Sequence, residues 1–374
     1  MKIGIDARGI NWYNGTGIGT YTENVLKNLI NIDNDNYYHI YWSMDNYECY
    51  QKPNTKIIST SRKHHRFFQD YFFPYDLKNQ NIDLYHVPQN GIGLSSSINC
   101  KKIVTIHDLI PYIMPETVGR GYLLKFLKEM PNIIDTSQGI ITVSEFSKRD
   151  ILKFFPIDEN KIFVTPLAAD AKYKPLDKII CKNILKEKYN ISKKFLLYLG
   201  GFSERKNVKS LITSFSKIYN NLDDDYNLVI VGSYKDESQY LVKLRDSLDM
   251  NDKIIFTGFV PDEDLPIFYN GCEIFVYPSL YEGFGLPPLE AMNCKTPVIT
   301  SNLTSIPEVV GDGGILIDPY NSDKLGDAIG NLLSNETLKN YYAEKGFERA
   351  QNFSWENTAK NTLNIYKTVY ETIV

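Results

Sequence analysis

The chain has 374 residues, 43% hydrophobic and 23% charged, so there is apolar material for a core and no compositional case for disorder. At roughly 150 residues per domain, the length predicts two domains. Forty-one basic residues against 45 acidic ones leave a net charge of −4, which excludes phosphate-backbone binding by the chain as a whole and predicts no nucleic-acid partner.

The opening residues, MKIGIDARGI, read as a buried strand and a polar turn, without the apolar stretch of a signal peptide. No later apolar run reaches the ~20 residues of a membrane span, so the expected location is the cytosol. Cys49, Cys100, Cys181, Cys272 and Cys294 are scattered, odd in number and never spaced as C-x-x-C. They predict reduced thiols, with neither a disulfide framework nor a zinc site.

In chain order, strands are predicted at Ile3–Ile5, Tyr38–Trp42, Leu84–Val87, Ile103–Ile106, Gly139–Val143 and Ile162–Val164, with helices over Tyr21–Ile30, Tyr122–Ile134 and Ser147–Phe155. A second series starts at Phe195–Leu199 and continues with Leu228–Val231, Ile254–Thr257, Ile274–Tyr277, Pro297–Thr300 and Ile315–Ile317. Strands alternating with helices in both halves predict an α/β protein of two doubly wound parallel sheets. Residues 171–192 are charged, contain a proline and lack a strand, so the linker is placed there, between domains 1–170 and 193–354.

Ligands of open parallel sheets sit beyond the carboxyl ends of strands, which directs attention to the loops after Ile5, Ile106, Leu199 and Tyr277. Gly15, Gly17 and Gly19 precede a helix, where glycines let N–H groups approach a phosphate and the dipole adds about half a positive charge. Their spacing serves a plain glycine turn equally well. It departs from G-x-G-x-x-G, which counts against an NAD-dependent oxidoreductase.

Arg205 and Lys206 stand after a buried strand at the start of a helix, where the macrodipole disfavours cations and an incoming diphosphate would offset that. Two solvated charges, or a salt bridge to Glu204, is the plainer reading. Glu282 follows a strand, and Glu290 falls in the first turn of a helix begun by Pro287 and Pro288, so both carboxylates are expected to face one pocket. Alternatively, Glu290 only complements the dipole and Glu282 only caps a turn. His107 closes a strand and is expected to point into a cleft, although a single His also serves as a structural residue. No second His or Cys lies at metal-ligand spacing. Residues 62–68, RKHHRFF, read as a basic, aromatic surface segment, either a solvated helix face or a contact with an anionic membrane.

Glu282 and Glu290 with the intervening GFGLP, Arg205-Lys206-Asn207, Gly17 and Gly19, His107-Asp108, and VSEFS at 143–147 together resemble the family 4 retaining glycosyltransferases of the GT-B fold. GIDAR at the start, SIPEVVGDGG around Glu308 and FSWENTA near Trp355 are similar to the bacterial mannosyltransferase branch. The resemblance implies two Rossmann-like domains facing each other across a deep cleft, with acceptor on the first and sugar nucleotide on the second. It also implies a C-terminal helix, 355–374, that packs back onto the first domain. It assigns the donor diphosphate to Arg205 and Lys206, with backbone amides around Phe284, Gly285, Leu286 and Gly17 nearby. Glu282 would meet donor-sugar hydroxyls, Glu290 the ribose, and His107 the region of the anomeric carbon. One departure stands out: some relatives carry an Arg directly after the glycine at the strand end, where Gly201 and Phe202 follow Gly200 here.

The resemblance implies a retaining hexosyltransferase that needs no metal or other cofactor, with mannose from GDP-mannose as the leading donor. The acceptor would be a glycan or lipid-linked saccharide of bacterial surface polysaccharide or glycoconjugate assembly, with peripheral contact at the inner face of the cell membrane. The alternatives are the same fold using UDP-glucose or UDP-N-acetylglucosamine, and a catalytically silent sugar-nucleotide-binding partner.

Overall fold

The computed structural model describes residues 1–233 and 236–372. The chain divides into two compact units, one formed by Met1–Leu167 with the chain from Ser354 onward and the other by Ala168–Phe353. Each is a parallel sheet with helices on it.

The first unit contains β1 (Lys2–Asp6), β2 (Tyr37–Ser43), β3 (Thr55–Thr60), β4 (Leu84–Val87), β5 (Lys101–Ile106), β6 (Gly139–Thr142) and β7 (Ile162–Val164), in the order β3-β2-β1-β4-β5-β6-β7. Every pair is parallel. The inner strands are apolar because both faces are covered: Ile3, Ile40, Leu84, Ile103 and Ile140 are fully buried. Tyr41, Phe73, Tyr85, Val104, Phe126 and Met130 form the core on one side. β3 escapes the sequence reading because it is a half-exposed edge strand, TKIIST, with no clean apolar run.

Helix Trp355–Glu371 packs on helix Gly17–Ile32, β5 and β6, so the C-terminal helix belongs to the first unit, as the family resemblance implies. Residues 373 and 374 of the expected helix lie outside the described residues. Ser354 caps this helix by accepting from the Asn357 amide, and Thr358 donates to the Pro166 carbonyl at 2.6 Å. Gly139 allows the approach, since a Cβ there would stand 2.8 Å from the Val369 side chain. Beneath the helix, the Tyr366 hydroxyl meets His86 Nδ1 at 2.7 Å, His86 Nε2 meets Thr105 at 2.8 Å, and Thr105 meets the Tyr21 hydroxyl at 3.0 Å. Burial pushes His86 down to about 3, so the link is a neutral imidazole.

The second unit orders its strands β10-β9-β8-β11-β12-β13, all parallel, with β8 (Lys194–Leu199), β9 (Tyr226–Val231), β10 (Ile254–Gly258), β11 (Ile274–Tyr277), β12 (Val298–Ser301) and β13 (Ile315–Ile317). The strand order reverses between β8 and β11, which are paired neighbours.

The linker expected at 171–192 is corrected by the structure. The junction lies at Leu167/Ala168, and Lys178–Tyr189 is a helix of the second unit packed against helix Leu265–Gly271. Asp177 caps it, accepting from the Ile179 and Ile180 amides at 2.8 and 2.9 Å, and Asn190 closes it in the left-handed region. Only Cys181 and Leu185 of this helix are fully buried. Its lysines are not linker charges: Lys178 and Lys182 each bond the buried Glu273 carboxylate at 2.9 Å.

Candidate donor site

The loops after β8 and β11 meet at the point where the second sheet reverses its strand order, the place where open α/β sheets bind ligands. The chain leaves β8 through Gly200 and forms a single 3-10 turn over Glu204–Lys206. Asn207, at φ 55°, then starts helix Val208–Ile218 and donates to the carbonyls of Pro278 and Pro319. The loop after β11 is tied to this turn, because the Arg205 carbonyl accepts from the Leu280 amide at 2.7 Å and from Ser279 Oγ at 3.1 Å.

This framework gathers four donors onto one oxygen. Glu282 Oε1 accepts from Arg205 Nη1 at 3.1 Å, Lys206 Nζ at 2.6 Å, Tyr277 Oη at 3.0 Å and Ser279 Oγ at 2.5 Å. Burial would raise this carboxyl, but Lys206 and then Arg205 hold it down at about 2, so it is ionised at any physiological pH. Its other oxygen, Oε2, takes no hydrogen bond from the described residues. Lys206 Nζ also donates to the Tyr277 hydroxyl at 2.6 Å and stands 5.1 Å from the centre of its ring. Arg205 Nη1 donates to the Tyr281 carbonyl as well. The two cations therefore pair with Glu282, not with Glu204.

The Glu282 backbone is fixed equally firmly. Its amide donates to Thr304 Oγ1, and Ser305 Oγ bridges the carbonyls of Glu282 and Phe284, both at 2.9 Å. Phe284 is buried against Phe353. Gly285 then enters helix Leu286–Asn293 at φ 116°, a conformation that excludes a side chain, and a Cβ would also stand 2.7 Å from Ile306. Pro287 and Pro288 carry no N–H, so amide donors at this helix start end with Leu286.

Glu290 differs from its expected position: it is the fifth residue of that helix, one turn in, and joins a separate network. Its Oε2 accepts from the Tyr269 hydroxyl at 2.8 Å, and it shares no hydrogen-bond partner with Glu282. Burial pushes its carboxyl up to about 7, with Asp262 and Asp170 adding to the rise and Tyr269 and Lys172 opposing it.

In the first unit, Gly17 and Gly19 open helix Gly17–Ile32 behind an ordinary cap: Thr16 Oγ1 accepts from the Gly19 amide at 3.4 Å. His107 is buried at the end of β5, edge-on to Tyr21 with ring centres 4.9 Å apart. Its Nε2 stands 2.9 Å from the Pro88 carbonyl, an acceptor only, so Nε2 carries the proton and Nδ1 is the acceptor. Burial lowers the imidazole to about 4, so it is neutral near pH 7. Glu308 contributes its carbonyl to Arg349 Nη2 at 2.6 Å.

Tyr277, Ser279, Ser305 and Tyr269 are absent from the sequence-based set. Tyr277 ends the β11 run and Ser279 stands three residues before Glu282, but the chain has 27 Tyr and nothing in spacing marks these. Among the described residues, no group of three or more His, Cys, Asp or Glu is placed to hold a metal ion.

The family model for glycosyl transferases group 1 matches residues 182–349, across this site, and that for Glycosyltransferase Family 4 matches 16–173. O-antigen chain mannosyltransferase B of Escherichia coli is 35% identical over 268 residues, 71% of this chain and 70% of the relative. The chain belongs to glycosyltransferase family 4. Membership makes it a retaining glycosyltransferase, and the two Rossmann-like units are those of the GT-B fold. The serotype-specific mannosyltransferase WbdA of Escherichia coli is 29% identical over 71% of this chain, which spans about one third of that relative's length. Among solved structures, Anabaena HepE in complex with UDP and glucose superposes with a TM-score of 0.77 at 17% identity, over 98% of this chain and 100% of HepE, a likeness of fold.

Proposed function

We propose that this glycosyltransferase moves mannose from GDP-mannose to a hydroxyl of a glycan or lipid-linked saccharide, in assembly of a bacterial surface polysaccharide. The observation that carries the reading is the convergence of Arg205 and Lys206 on Glu282 at the strand-order reversal of the second sheet. The mannosyl assignment draws on the Escherichia coli relatives, which are mannosyltransferases.

The chemistry follows from the residue types. Breaking the bond from the anomeric carbon to a nucleoside diphosphate builds negative charge on the leaving phosphate. A guanidinium and an ammonium already fixed in place stabilise that charge without reorganising at the moment of reaction. In this reading they do the work that a divalent ion does in other transferases. Glu282 holds both cations in register through Oε1 and presents Oε2 to hydroxyls of the donor sugar, while Glu290 accepts from the ribose. His107, neutral with its proton on Nε2, would act on a substrate hydroxyl through Nδ1 and not as a cation. Amides of the Phe284–Leu286 segment, in the same unit as the two cations, would donate to the diphosphate. A lipid-linked acceptor would bring the chain to the inner face of the cell membrane.

A donor panel tests this: thermal shift and sugar release with GDP-mannose, UDP-glucose, UDP-N-acetylglucosamine and UDP-galactose, each with and without EDTA. GDP-mannose is expected to stabilise and turn over alone, with EDTA without effect. Selective turnover of a UDP-sugar would reassign the donor, and loss of turnover with EDTA would overturn the metal-free reading.

A further inference from the structure

Residues His65–Asn79 run as one continuous helical segment, with a π turn over Phe68–Phe72 between the α-helical pieces His65–Phe67 and Phe73–Asn79. Gln69, Phe73 and Leu77, spaced by four, are buried against the first unit. Phe67, Tyr71 and Tyr75 follow the same spacing two residues earlier, and two residues is about half a turn, so they line the opposite side. There they stand 55%, 70% and 65% exposed, with the Phe67 and Tyr71 rings stacked at 6.3 Å. This is the side where a helix facing water carries polar residues.

Charge surrounds that aromatic row unevenly. Arg62, Lys63, His64 and Arg66 are exposed at its start, against the one exposed carboxylate of Asp70. A second helix, Arg120–Thr136, repeats the composition, exposing Leu124 and Leu127 between the exposed Arg120 and Lys128. The two helices meet the same loop: the Gly93 amide donates to Glu129 Oε2, and Gln69 lies so close to Gly93 that a Cβ there would stand 2.1 Å from its amide nitrogen.

We infer that Phe67, Tyr71 and Tyr75, rimmed by Arg62, Lys63 and Arg66, form a docking face for an anionic phospholipid bilayer. Aromatic rings settle at the headgroup boundary, and each basic residue near an acidic leaflet is worth about five-fold in partitioning. The row of three rings supplies apolar contact, and the excess of exposed cations complements the lipid charge. The inference rests on the lipid-linked acceptor reading for its purpose only, because vesicle binding is measurable without any acceptor.

The test is flotation of the full chain with vesicles of phosphatidylglycerol and phosphatidylcholine, against phosphatidylcholine alone, at low and high salt. Two triple variants accompany it, F67S/Y71S/Y75S and R62E/K63E/R66E, with circular dichroism to verify folding and single Tyr71→Ser as the milder substitute. Sugar release from free donor is followed in parallel and is expected to stay at the wild-type rate, since none of these residues touches the donor network. The chain is expected to float with anionic vesicles only, with at least a ten-fold loss in each triple variant and at high salt. Failure of the wild type to float, or undiminished binding by both variants, overturns the inference. So does a dimer in size-exclusion chromatography that the aromatic variant dissociates, because the face would then belong to a second copy.

Discussion

Glu282 and Glu290 are eight positions apart, yet their surroundings drive the same carboxyl group in opposite directions. Lys206 and Arg205 outweigh burial at Glu282, whereas at Glu290 burial outweighs one tyrosine hydroxyl. The native state thus holds the Glu290 proton more tightly than the unfolded chain does. Its contribution to stability is full below about pH 4.5 and lost as pH rises through about 7. Glu290→Gln is expected to flatten that part of the stability profile and to raise the urea midpoint at pH 8 relative to wild type; an unchanged profile between pH 5 and 8 would contradict the raised value. Both carboxylates were legible in the sequence because loop position and proline placement are local signals. Their separation was not, because Tyr277, Ser279 and Tyr269 come from distant positions and only the fold shows which carboxylate each will meet.

At the scale of elements, strands buried on both faces announced themselves as short apolar runs, and every one of those predicted is present to within two residues at either end. The helix Lys178–Tyr189 did not, because two buried residues in twelve leave little periodic signal and its lysines resemble linker composition. The structure assigns it a capped start on Asp177 and ion pairs to Glu273. Asp177→Ala removes the acceptor for two amides and is expected to cost about 1 kcal/mol. Chemical denaturation checks this: a loss of that size places the helix in the cooperative unit, and no loss would return the segment to linker status.

Across the whole molecule, the sequence motifs fall into two units, and the two cations assigned to the diphosphate lie wholly within the second. The C-terminal helix joins the first unit although the second intervenes in sequence, an arrangement the family resemblance carried and hydrophobic spacing alone did not. Glu282 Oε1 already holds its four donors within the second unit. Removing Lys206 therefore leaves Glu282 with Arg205, Tyr277 and Ser279 as donors, and the folded state should lose only about 1–3 kcal/mol. The transition-state charge, by contrast, loses a preorganised partner. The most direct measurement is sugar release by Lys206→Ala at saturating donor, alongside its thermal midpoint. The account predicts a folded protein with turnover reduced about 100-fold or more. A folded variant with wild-type turnover, or one destabilised with turnover intact, would show that Lys206 serves the fold and that the diphosphate is held elsewhere.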